Sequence, residues 1–222
     1  MPTAAATLDV AALIRAASAD DHRATESRGF ITRLMGGELS LADYTRYLAQ
    51  FGWIYAALES RADSGADGSD SPEVFDPRLR RLARIESDLD ALGAADWRTR
   101  YPALPATAAY ARHLRDLIES DDDLDHTVRY LAHQYARYLG DLSGGQAIAA
   151  LVARHYGATA VQLSFYDFSE LGSVVHAKRE YRDRMNELAL DSAAVDALTA
   201  EVRMAFAYNG AVFDELNIEL DA

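Results

Sequence analysis

"RYLGDLSGGQAIA", residues 137–149, lies within a run of helical periodicity and yet places Gly140, Gly144 and Gly145 within six positions. A glycine in a helix interior costs about 1 kcal/mol relative to alanine, so the three give up about 3 kcal/mol of a typical total stability of about 5–15 kcal/mol. Gly140 and Gly144, four apart, share one helix face with Gly145 beside them, which lets the backbone approach a flat object directly. Close packing of two helices is the simpler use of such a pair. It requires neither Asp141 nor Ser143 among the glycines.

The flanking sequence is helical throughout. Val128, Leu131, Tyr135, Tyr138 and Leu142 alternate steps of three and four, as do Leu41, Tyr44, Leu48, Phe51, Tyr55 and Leu58. Leu82, Ile85, Leu89 and Leu92 form a third stripe, and shorter ones run through Tyr110, Leu114 and Leu117 and through Val195, Leu198 and Val202. No alternating strand pattern competes, so the fold class is all-α. Gly36 and Gly37 stop one helix, and Ser40, three before Asp43, starts the next as a capping-box-like pair; Asp76 before Pro77 is a similar start signal. Residues 62–75, small, acidic and rich in glycine and serine, read as a surface loop between helices. Stripes on both sides of it need partners, so residues 1–222 are read as one domain with a helical core of about 8–218.

Composition narrows the chemistry. The absence of cysteine removes disulfides, thiolate metal sites and cysteine nucleophiles. Lys and Arg total 22 against 35 Asp and Glu, a net charge of −13 that argues against nucleic acid or an anionic membrane as partner. The N-terminus lacks a basic start followed by a long apolar run, and no stretch approaches the roughly 18 apolar residues of a membrane span. A cytoplasmic chain without a membrane anchor is expected.

The ten residues "RYLGDLSGGQ" resemble the signature of haem oxygenases, and the resemblance extends through "WIYAALE" (53–59), "YRDRMNEL" (181–188) and "AFAYN" (205–209). It implies a haem-oxygenase-like helical bundle with haem, both cofactor and substrate, held between a proximal N-terminal helix and a distal helix kinked at its glycines. The implied reaction opens the ring to biliverdin with release of carbon monoxide and ferrous iron, using O2 and a reductant, for iron acquisition from haem. The resemblance is to the soluble bacterial members, so the membrane anchor of animal members is not expected.

Haem needs an axial ligand, and six histidines are available: His22, His113, His126, His133, His155 and His176. Glu26, four residues after His22, is placed to hold the ring nitrogen that does not meet iron, and the resemblance puts the proximal ligand at His22. Arg15 stands seven residues earlier, about 10 Å along almost the same face, where a guanidinium suits a propionate. Lys178 and Arg182, four apart, would complete a local cationic site. The resemblance assigns similar residues to the propionates, with Tyr135 nearby, and implies attack at the α-meso carbon. It also brings Phe206 and Asn209 to the pocket wall. Animal members carry a basic residue where this chain has Ala19, which predicts a looser grip on that side.

The chemistry must steer oxygen onto a ring carbon. A distal histidine would instead protonate the terminal oxygen and break the O–O bond, and residues 137–149 contain none. Glycine backbone over the ring directs oxygen to one edge, while Asp141, through ordered water and with Arg137 as a second member, supplies the proton. A ferredoxin or flavodoxin-like donor is expected to dock on Arg15, Lys178, Arg179, Arg182 and Arg184, with "RLRRLAR" (78–84) as a second basic stripe and the chain acting as a monomer. Rival readings fare less well. A di-iron oxygenase needs repeated Glu-x-x-His pairs, and none occurs; a thiaminase-like hydrolase needs a cysteine. A non-enzymatic haem-binding or haem-delivery protein would keep His22 but would have no use for Asp141 among three glycines.

Overall fold

A computed structural model describes residues 9–60, 76–119, 124–188 and 190–221. Among these residues there are ten α-helices and no strand. The helices are α1 (Val10–Ala17), α2 (Ala19–Glu26), α3 (Gly29–Gly36), α4 (Leu41–Leu58), α5 (Leu82–Ala91), α6 (Trp97–Arg100), α7 (Pro105–Glu119), α8 (Leu124–Tyr156), α9 (Val174–Asn186) and α10 (Ser192–Asp221). Residues 62–75, expected as a loop, lie outside the described residues.

The stripes become the core. Tyr44, Leu48, Phe51, Tyr55 and Leu58 of α4 are buried, and so are all five stripe residues of α8 from Val128 to Leu142. Helix α4 packs against α5, α7 and α8, and α8 runs along α10. The predicted punctuation is present. Ser40 and Asp43 exchange side-chain and backbone hydrogen bonds in a capping box at the start of α4. Gly37 ends α3 at φ +79°, and a Cβ there would lie 2.7 Å from His155 Nδ1, so both backbone and space demand glycine. Asp76 accepts from the Arg78 N–H as expected, but it opens only a single 3-10 turn, Pro77–Leu79, and α5 begins at Leu82.

The short helices α1 and α2 sit against α10. Arg203 donates two hydrogen bonds to the Ala17 carbonyl and pairs with Asp21 at 3.6 Å, while Thr25 donates to the Phe206 carbonyl at 3.3 Å. On the other side, α8 is tied to α4 and its end: the Tyr130 hydroxyl donates to the Leu58 carbonyl, and that of Tyr138 to buried Glu59 at 3.2 Å. Two well-anchored walls, α2 and α8, therefore face a common gap.

Helix α8 stays helical through its glycines, none of which has positive φ. They act through their missing side chains, and in two ways. A Cβ on Gly140 or Gly144 would meet nothing within 4 Å, whereas one on Gly145 would lie 2.7 Å from the Tyr166 ring. The helical turn explains the split, because Gly145 points about 100° away from Gly144. Gly145→Ala is expected to lose about 1–3 kcal/mol by overpacking. Gly140→Ala and Gly144→Ala are expected to leave stability unchanged or raise it by up to about 1 kcal/mol. Urea denaturation of the three variants measures the difference.

Candidate active site

The gap between α2 and α8 holds a cavity of about 310 Å³. His22, Arg15 and Ala19 line it from α1 and α2, Tyr135 and Gly140 from α8, Arg182 from α9 and Phe206 from α10. A second cavity of about 120 Å³ adjoins it through shared residues His22, Ala136, Gly140 and Phe206. It is lined by Arg137, Asp141, Gly144 and Gly145 of α8, by Glu26 of α2, and by Asn209 of α10. Twelve of the thirteen residues singled out in the sequence thus line one continuous space. Lys178 does not line it, so of the expected α9 pair only Arg182 reaches the cavity.

His22 is prepared as a ligand. Its Nδ1 sits 3.2 Å from Glu26 Oε2, and the Phe206 ring meets it edge-on at 5.4 Å between centroids. Glu26 thereby orients the ring through Nδ1. The His22 side chain is 46% exposed, on the wall of the cavity. Farther along the cavity, burial pushes the Tyr135 hydroxyl up against the opposing pull of Arg182 and Arg15. Both cations thus lie close enough to Tyr135 to act on it. This cationic end matches the chemistry of a carboxylate-bearing ligand.

The α8 side carries a buried polar network. Asp141 accepts a short hydrogen bond from the Tyr55 hydroxyl, and Arg137 Nη2 stands 3.7 Å from its Oδ1. Burial raises the Asp141 carboxyl above the ordinary carboxylate range, with Arg137 opposing. For Arg137, burial is outweighed by Tyr55 and Asp141, and the guanidinium stays charged. That guanidinium lies 4.2 Å over the Phe51 ring and donates to Asn209 Oδ1 at 3.0 Å. Its Nε is buried without a protein partner.

Tyr55 and Phe51 were invisible as site residues because they belong to the apolar stripe of α4. The available signal was chemical: a buried tyrosine hydroxyl needs a polar partner. The second basic stripe is corrected. Arg81 is 1% exposed, stacks on Phe168 at 4.2 Å and donates to the Arg78, Leu79 and Asp167 carbonyls. Arg78 pairs with Asp76, and Arg84 with Glu170, each at 2.6–2.7 Å. Residues 78–84 are a structural junction. On α9, Arg184 pairs with Glu180 at 2.7 Å, which weakens that end of the basic face as well.

A slot with a carboxylate-oriented histidine on one wall, bare helix backbone on the other and cations at one end defines a site for a planar, acidic, metal-bearing ring. A sequence profile described as Heme oxygenase matches residues 8–215. Heme oxygenase 1 of Nostoc sp. is 29% identical over 209 residues, 91% of this chain and 84% of that one. Heme oxygenase of Takifugu rubripes is 33% identical over 210 residues, covering 94% and 74%. The crystal structure of heme oxygenase-1 from Synechocystis sp. in complex with heme superimposes with a TM-score of 0.86 at 27% identity, covering 96% of this chain and 94% of that one. The chain belongs to the haem oxygenase family, enzymes that open haem to biliverdin, carbon monoxide and iron. Among the described residues no helix is long and apolar enough to cross a membrane.

Proposed function

We propose that His22 would hold haem iron through Nε2, with the bare backbone at Gly140 and Gly144 leaving the room in the cavity that the ring would need. The observation that carries this reading is the pairing of open glycine faces with a Glu26-held imidazole on one cavity. A methyl group at either glycine would intrude where the ring must lie. When bound, haem supplies the iron that receives electrons and O2 and the ring carbon that is oxidised.

The protein's own residues orient, confine and supply protons. Arg15 and Arg182 would hold the propionates beside Tyr135 and so set the orientation of the ring, with the α-meso carbon as the one exposed to attack. Tyr55 and Arg137 hold Asp141, and the smaller cavity, with Asn209 and Arg137 Nε on its polar side, suits ordered water that passes the proton inward. Electrons enter from a ferredoxin or flavodoxin-like donor at the Arg15 and Arg182 edge. The monomer is the catalytic unit, and iron acquisition from haem in the cytoplasm is its role. Haem added to the protein with ascorbate or a ferredoxin system in air should give a biliverdin spectrum and carbon monoxide. Stable haem binding without ring loss would favour haem delivery instead.

The cavity separates the two α9 cations. Arg182→Ala is expected to give mixed biliverdin isomers with haem affinity reduced less than about tenfold, since burial of apolar macrocycle at about 25 cal/mol per Å² dominates binding. Lys178→Ala is expected to leave the isomer unchanged. Chromatography of the extracted biliverdins reads both results, and a single isomer from Arg182→Ala would show that cavity shape alone orients the ring.

A further inference from the structure

A second cluster of metal-ligating groups lies apart from the haem cavity, on helices that also serve it. His113 of α7, His133 of α8 and Glu201 of α10 bring one nitrogen or oxygen each within 4.8 Å of one another. None of the three lines either cavity that holds His22. Glu201 and His133 are fully buried, and His113 keeps a partly exposed edge.

Without a metal the cluster is a hydrogen-bonded triad. Glu201 Oε1 accepts from His113 Nε2 at 2.5 Å and from His133 Nε2 at 2.9 Å, while Oε2 accepts from Arg129 at 3.2 Å. The Arg129 pair already meets the carboxylate charge. Burial lowers the affinity of His133 for a proton, which keeps its ring neutral, the form that ligates metal. Burial alone would raise Glu201, but the hydrogen bonds from His113 and His133 outweigh it and hold the carboxyl well below its usual range. The Tyr110 hydroxyl stands 3.1 Å from His133 Nδ1. Its oxygen can accept a hydrogen bond from the ring Nδ1–H once Nε2 is taken by a metal, which is the outer support a ligand histidine needs.

We infer that His113, His133 and Glu201 form a binding site for one divalent cation of the zinc class, distinct from the haem site. Two imidazole nitrogens and one carboxylate oxygen are a donor set for such ions, whereas Mg²⁺ prefers oxygen alone. Metal–ligand distances of about 2.0–2.2 Å put tetrahedral donors about 3.3–3.6 Å apart, so Glu201 Oε1, now 2.5 and 2.9 Å from the two imidazole nitrogens, need move from each by only about 1 Å or less. The Nε2 hydrogen displaced from each ring moves to Nδ1 or leaves to solvent, so the exchange balances. The exposed edge of His113 gives the ion its entry and leaves a fourth position toward solvent. Because the donors come from three helices, the ion clamps α7, α8 and α10 together.

Zn²⁺ titrated by calorimetry into the full chain, with and without haem, tests the site. One Zn²⁺ per chain is expected in addition to haem, with Mg²⁺ not bound. A Zn²⁺ concentration one hundred times the Kd should raise Tm by about 5–10 °C. His113→Ala, at the exposed edge, should keep the haem spectrum and weaken Zn²⁺ binding at least tenfold. Glu201→Gln should weaken it similarly if folded, and His22→Ala should leave it intact. Absence of saturable binding, undiminished binding in His113→Ala, or loss confined to His22→Ala would overturn the assignment.

Discussion

His22→Ala is expected to lower the rate of biliverdin formation by about 100-fold or more, equivalent to about 2.7 kcal/mol or more in activation free energy. It should do so with little effect on folding. The ring is half exposed, pairs with Glu26 at 3.2 Å and touches Phe206 only edge-on. Removing such a side chain changes stability by about 0.5 kcal/mol or less. The imidazole itself is lost, however, because the other α2 residues toward the two cavities are Ala19, Arg23, Thr25 and Glu26, none of which carries an aromatic nitrogen. The absorption spectrum of the haem complex should lose its imidazole-ligated form, and added imidazole should restore both spectrum and turnover by filling the vacated space. Retention of that spectrum in His22→Ala, together with its loss in His155→Ala or His176→Ala, would reject the assignment. The structure already speaks against both alternatives by position. His155 packs against Gly37, and His176 faces Arg179 on the outer surface of α9.

How much of this could be read in the chain depended on whether the signal was local. Helix stripes at steps of three and four report burial directly, and the Ser40 and Asp43 cap is complete within four residues. His22 with Glu26, and Asp141 among its glycines, were legible for the same reason. What the local sequence does not carry depends on distant partners. Gly145 looked like Gly140 and Gly144 until Tyr166, from the turn after α8, was placed against it. Arg81 looked like one more surface cation, yet the carbonyls of residues 78, 79 and 167 converge on its guanidinium and bury it. Lys178 and Arg182 share a helix face, but one turn of displacement along α9 decides which of them reaches the cavity. Tyr55 carried the opposite ambiguity: its ring satisfies the apolar stripe, and only the fold shows where its hydroxyl goes.

Asp141→Asn is expected to bind haem within about threefold of the parent and yet to form biliverdin about 100-fold more slowly, within the 10²–10⁴-fold range of a positioned proton donor. Asparagine keeps the shape of aspartate and an acceptor for the Tyr55 hydroxyl, so the change removes the acid rather than the fold. Asp141→Ala makes the same test more bluntly, since it strands the Tyr55 hydroxyl and the Arg137 cation and should cost about 1–3 kcal/mol of stability. Burial raises the carboxyl of Asp141, so its protonated form persists to higher pH than that of an exposed carboxylic acid. Turnover by the parent should therefore fall as pH rises past that raised value. Asp141→Asn, with no proton to lose, should show a low rate that does not follow this limb. Tyr55→Phe should produce a smaller loss, about tenfold, because it leaves the carboxyl in place but releases its orientation; its pH limb should shift rather than vanish. Normal biliverdin yield from both Asp141 variants, or the same pH limb in parent and Asp141→Asn, would remove Asp141 from the proton path.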